Sequence, residues 1–104
     1  MSTKNGNKLG QISGVAVATD LVTTNEDMWA RVESIFIVNN AVSAESVDIH
    51  AMGRNDTPSQ DNIIFKSGDI SCGETEVVSN VIGISDREKV VVVPSSADIT
   101  VTAF

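Results

Sequence analysis

A chain of 104 residues has room for one domain, and 15 Val, 10 Ile and 8 Thr against two leucines, Leu9 and Leu21, exclude an ordinary helical one. Fourteen acidic against seven basic side chains give a net charge of −7, which argues against direct contact with nucleic acid. The lone cysteine, Cys72, cannot close an internal disulfide, and the longest apolar runs, residues 35–38 and 90–93, are too short to cross a membrane.

Residues 1–10 hold Lys4 and Lys8 and no acid, so a basic segment precedes an acidic body. Its Gly, Asn, Ser and Lys cannot bury enough surface to offset ordering, which predicts a flexible arm ahead of one domain over residues 11–104. No apolar run of the signal-peptide kind opens the chain. Over residues 12–24, alternating Val15, Val17, Thr19 and Leu21 predict one long strand or two short ones. Asn25, Glu26 and Asp27 form a turn.

The strongest strand signal follows over residues 29–39. Val32, Ser34, Phe36 and Val38 fall on one side and Arg31, Glu33, Ile35 and Ile37 on the other, so the segment should pass from half-buried to fully buried in the middle of a sheet. Val47, Ile49 and Ala51 face inward in the next strand, with Asp48, His50 and Met52 outward. Residues 53–62 are polar and read as an exposed loop. A short strand at residues 63–66, a tight turn at Gly73-Glu74-Thr75 and a strand over residues 76–84 come next. Residues 89–93 and 98–104 then form a last pair, with Pro94 at a strand end or edge and Ile99, Val101 and Ala103 sharing one face. Seven or eight strands with turns between them predict an all-β fold, a two-sheet antiparallel sandwich of jelly-roll or immunoglobulin-like type.

Little in the chain points to catalysis. His50 and Cys72 form a nucleophile pair only on paper; the simpler expectation puts His50 on a solvated strand face and Cys72 as a small buried hydrophobe before a turn. Two Cys/His residues fall short of a structural zinc site, and Asp56, Asp61 and Asp69 lack the spacing of a calcium loop. Neither a nucleophile elbow nor a phosphate-binding glycine loop is present, so neither an enzymatic activity nor a cofactor is expected. Aromatic residues number four, without tyrosine: Trp29, Phe36, Phe65 and Phe104. Trp29, beside a turn, either caps the core or anchors a partner. Phe104 is either the last core residue or an intermolecular plug.

Several segments carry a resemblance. Thr19-Asp20-Leu21-Val22-Thr23 followed by Arg31-Val32-Glu33-Ser34-Ile35-Phe36-Ile37-Val38-Asn39 resembles the opening of small structural proteins of tailed-phage virions. Ile70-Ser71-Cys72-Gly73-Glu74-Thr75 looks like their turn before a strand, with Cys72 where Pro or Ala often stands. Residues 90–102 look like their closing hairpin, although Asp86-Arg87-Glu88-Lys89 occupies the place of the usual Gly-Asp. The resemblance spans residues 15–104 and implies a capsid decoration or cement protein, or a small tail or fibre component. Such a protein is found in the virion, lacks catalytic residues and packs on other virion proteins, the major capsid protein first, usually as a homo-oligomer. Lys4, Lys8 and Leu9 of the arm, with Trp29 and Phe104, are then the candidate contact residues. A receptor- or carbohydrate-binding module at a tail tip is the alternative.

Overall fold

The computed structural model describes residues 8–79 and 82–104, and over them β-branched runs become strands wherever alternate side chains can be buried. The first half of the chain holds β1 (Gly10–Ile12), β2 (Thr19–Thr23), β3 (Trp29–Val32), β4 (Ile35–Asn39) and β5 (Val47–Gly53). The second half holds β6 (Ile63–Lys66), β7 (Thr75–Val78), β8 (Ile82–Ser85), β9 (Glu88–Pro94) and β10 (Ile99–Ala103). No helix occurs among the described residues, so none is long and apolar enough to cross a membrane.

One pairing rule runs through the molecule. Gly10 faces Ala103, Thr19 faces Val92, Val32 faces Ile82, Ile35 faces Val78 and Ile49 faces Phe65, all antiparallel. The two halves therefore make a single long ribbon that doubles back at the loop after β5. Rolling this ribbon up adds two further ladders, β10 with β4 and β9 with β5. The product is two four-stranded sheets, β1-β10-β4-β7 and β2-β9-β5-β6. A rolled antiparallel ribbon of this form is a jelly roll, so the strand order decides between the two sandwich types left open above.

The β3·β8 pair belongs to neither sheet. It is the rung at which the ribbon leaves one sheet for the other, as at the corners of sandwiches whose strands switch layers through bends. Two turns hold the bend together. Asp86 N donates to Met28 O over 2.8 Å, Arg87 N donates to Asn25 O over 3.3 Å, and the Arg87 guanidinium pairs with the Glu26 carboxylate. Asp27, Asp86 and Arg87 all take positive φ, which Asp tolerates better than Arg.

Both sheets turn Val and Ile inward to a shared core. Ile35 and Ile37 from β4 meet Val47 and Ile49 from β5, Val90 and Val92 from β9, and Ile99, Val101 and Ala103 from β10. At the end of β4, buried Asn39 joins three segments: its Nδ2 donates to Ile70 O over 2.8 Å and to Ser43 O over 3.0 Å, and its Oδ1 accepts from Ala41 N over 2.9 Å. Every polar atom of that side chain is thereby used in the core, where an unmade bond would be costly.

Several expectations are corrected. The described residues contain ten strands rather than seven or eight. Residues 29–39 are two strands, not one, because the chain breaks at Glu33 and Ser34; the inward set passes from Val32 to Ile35 and Ile37, leaving Phe36 outside. The strand expected over residues 76–84 is likewise two, β7 and β8. β9 and β10 do not pair with each other but lie in opposite sheets. His50 and Met52 are buried rather than solvated; residues 53–62 fold back so that Asn62 meets the His50 ring. Cys72 is exposed, since it sits in the turn where Glu74 N donates to Ser71 O and Gly73 takes a φ of 77°.

Candidate functional site

The two sheets differ in what covers their outer faces. On β2-β9-β5-β6 the outward residues Val91, His50 and Met52 are buried, and the β5–β6 loop bonds directly to His50. His50 Nδ1 lies 2.7 Å from Asn62 Oδ1, which also accepts from Ser59 N, and Arg54 Nη2 reaches back to Thr24 O over 2.8 Å. The chain's own loop therefore serves as a third layer there.

No such layer covers β1-β10-β4-β7 among the described residues. Alternation along its strands turns Phe36 and Val38 of β4 outward, with Thr100 and Thr102 of β10, Thr75 and Val77 of β7 and Gln11 of β1. The register sets Gln11, Thr102, Phe36 and Val77 in one row across the sheet. Gln11 Nε2 donates to Thr102 Oγ1 over 2.9 Å, and the Phe36 and Phe104 rings meet edge to face with centroids 5.6 Å apart. Leu9, two residues before Gln11, falls on the same side and donates its N–H to Ala103 O. Phe36 is 38%, Leu9 41% and Val77 49% exposed.

None of these outward side chains carries a charge. In a chain with 14 acids and seven bases, the described outward strand positions of this sheet hold neither, and the Lys8 ammonium reaches only the Gln11 edge. Charge depletion around exposed aromatic and aliphatic groups is the composition of the centre of a protein interface. Long charged side chains would hold water there, whereas Phe, Val and the methyl groups of Thr release it on contact.

The sequence-predicted contact residues divide among three places. Leu9 and Phe104 lie on this face, Phe104 with its backbone paired to Ser34 as a continuation of the ladder. Lys8 borders it, its Nζ donating to Gln11 Oε1 over 3.1 Å. Trp29 lies elsewhere, on the β3·β8 rung, 74% exposed, so it does not cap the core. Lys4 and the rest of residues 1–7 lie outside the described residues. Phe36 and Val77 were missed. For Phe36 the signal was the alternation itself, but a continuous strand through Glu33 and Ser34 would place it with buried Val32.

The residues weighed for chemistry stay apart in role. His50 is a buried loop partner, while Cys72 is an exposed turn residue. Asp56 caps its own turn by accepting from Gly53 N, and Asp61 N donates to Ser59 Oγ. Among the described residues no three His, Cys, Asp or Glu side chains gather closely enough to hold a metal ion.

No family model, curated protein or solved structure matches the chain.

Proposed function

We propose that this chain is a non-enzymatic structural protein of a virion, a capsid decoration or cement subunit that packs on neighbouring capsid subunits through the outer face of β1-β10-β4-β7. One observation carries the reading: among the described residues of a strongly acidic protein, the outward strand positions of one sheet hold no charged side chain, lie under no loop and expose aromatic and aliphatic groups. The motif resemblance to small tailed-phage virion proteins supplies the class of partner, with the major capsid protein foremost. The jelly roll is compatible with that role without assigning it, since one fold hosts many functions. Co-sedimentation of the purified chain with empty capsids tests the proposal. Binding that is lost in Phe36→Asp is the expected result, and a chain that stays in the supernatant at every concentration would overturn it.

The exposure of Trp29 favours a second reading, a receptor- or carbohydrate-binding module of the tail. Trp29 and Arg31 point to one side of the β3·β8 rung, opposite Ser85 and Gly83, where the missing side chain of Gly83 leaves open space beside them. An exposed indole next to bare backbone and a guanidinium is a surface on which a sugar ring can stack and hydrogen-bond. Glycan-array binding that disappears in Trp29→Ala, without any effect of Phe36→Asp, would establish this reading over the first.

A further inference from the structure

We propose that the gap between the two sheets at the β6 and β7 margin is a binding pocket for an uncharged, mostly hydrocarbon molecule, in chemical class a medium-chain alcohol or ester. This goes beyond the proposed function, because the pocket lies inside the sandwich and not on the outer face of β1-β10-β4-β7.

The two margins of the sandwich are built differently. At one, the edge strands β1 and β2 close backbone on backbone, and a Cβ on Gly10 would stand 1.8 Å from the carbonyl oxygen of Leu21. At the other, the edge strands β6 and β7 do not pack on each other in this way, and a space of about 380 Å³ opens there. Ile49 and Val78, both members of the buried core, stand deepest in it. Ala51, Phe65 and Ile82 wall it, and Ile64 lies at its mouth, 45% exposed. An occupant would extend the core itself, gaining apolar contacts on several sides at once.

The lining fixes the chemistry of the ligand. Among the described residues, none that lines the space carries a polar or charged side chain, so nothing inside can compensate a buried charge. Beside it on the inner face of β7 stands Glu76, opposite buried Ile37 and two residues before Val78. That carboxylate, in a chain of net charge −7, disfavours an anionic molecule. It also disfavours a partner strand, since an inward-pointing charge on one edge and a lysine, Lys66, on the other are devices that keep edge strands from pairing. Size excludes a single inserted side chain. An apolar cavity of about 150 Å³ already holds a benzene molecule, so one aromatic ring would leave more than half of this space empty, and there is room for roughly 12–15 carbon atoms.

Titration of the isotope-labelled full chain with hexanol, octanol and decanol, read by methyl and amide chemical shifts, tests the proposal. Saturable shifts at Ile49, Val78 and Ile82 are expected, with affinity rising about fourfold for each added methylene. Octanoate should bind several-fold more weakly than octanol at neutral pH. Ala51 shares the inner face of β5 with Ile49, opposite buried Val90, so Ala51→Leu puts a larger side chain into the space. That variant should lose decanol binding and melt no lower than the parent, because the gap is filled from within. Ile64→Ser, at the exposed mouth, should weaken decanol binding several-fold, whereas Val42→Ser, on the β4–β5 loop, should bind like the parent. Shifts that never saturate, or that centre on Phe36 or Trp29, overturn the proposal. So does octanoate binding as tightly as octanol, or a folded Ala51→Leu variant that binds decanol unchanged. If Ala51→Leu does not fold, Ile64→Ser decides, and undiminished decanol binding in it overturns the pocket.

Discussion

Phe36 and Phe104 meet at 83° with ring centroids 5.6 Å apart, and the contact closes the outer surface of one sheet at the last residue of the chain. Two forces position it: the β4 alternation points Phe36 outward, and Phe104 N donates to Ser34 O over 2.9 Å to hold the terminus in the ladder. An edge-to-face aromatic pair contributes about 1 kcal/mol beyond simple burial. A double-mutant cycle with Phe36→Ala and Phe104→Ala, read by urea denaturation at low protein concentration, should return a coupling of about that size. Additive losses would mean that the rings do not act on each other.

Asn39 should be among the most sensitive polar positions. Its amide serves Ile70 O, Ser43 O and Ala41 N inside the core. Asn39→Ala takes that partner from buried Ala41 N, from buried Ile70 O, which keeps the Glu45 N–H, and from part-buried Ser43 O, at about 1–3 kcal/mol for each group left unsatisfied out of reach of water. We expect a loss of at least about 2 kcal/mol by denaturant titration, with the loop over residues 40–46 and the segment before β7 losing hydrogen-exchange protection together. Loss confined to one of them would contradict the shared anchor.

Gly10 lies where no side chain fits. A Cβ built on it would stand 1.8 Å from the carbonyl oxygen of Leu21, so β1 passes directly against the backbone of β2. Gly10→Ala must push the two strands apart, an overpacking cost of about 1–3 kcal/mol. Amides of Leu9 and Ile12 should then exchange faster while those of β9 hold. Unchanged protection in β1 would show that the two backbones are not so close.

Glu45 provides a pH signature. Ser95 Oγ and Ser43 Oγ each donate to its carboxylate over 2.8 Å, Ser95 contributing more, and hold its pKa below the ordinary 4.5. A depressed acid stabilises the folded state fully at pH values above 4.5, and that contribution disappears as pH falls through the lower folded value. Glu45→Gln should therefore be less stable than the parent near neutrality, with the difference shrinking below pH 4.5. A difference that stays constant with pH would rule out the two serine bonds as its source.

Composition and alternation were enough to read the class of fold and most of the core. β-Branched residues at every second position report locally that one side of a strand is covered, and in β10 the inward set of Ile99, Val101 and Ala103 is as the alternation predicts. Alternation says nothing, however, about which strand lies alongside. Gln11 bonds to Thr102 across 91 positions of sequence, and β9 and β10, neighbours in the chain, lie in different sheets because the rolled ribbon, not the turn, chooses their partners. Which outward faces stay bare depends on how the whole chain packs. His50 and Phe36 both point away from the core on interior strands, yet one is roofed by a loop from its own hairpin and the other meets water, since covering a face depends on where distant backbone comes to rest.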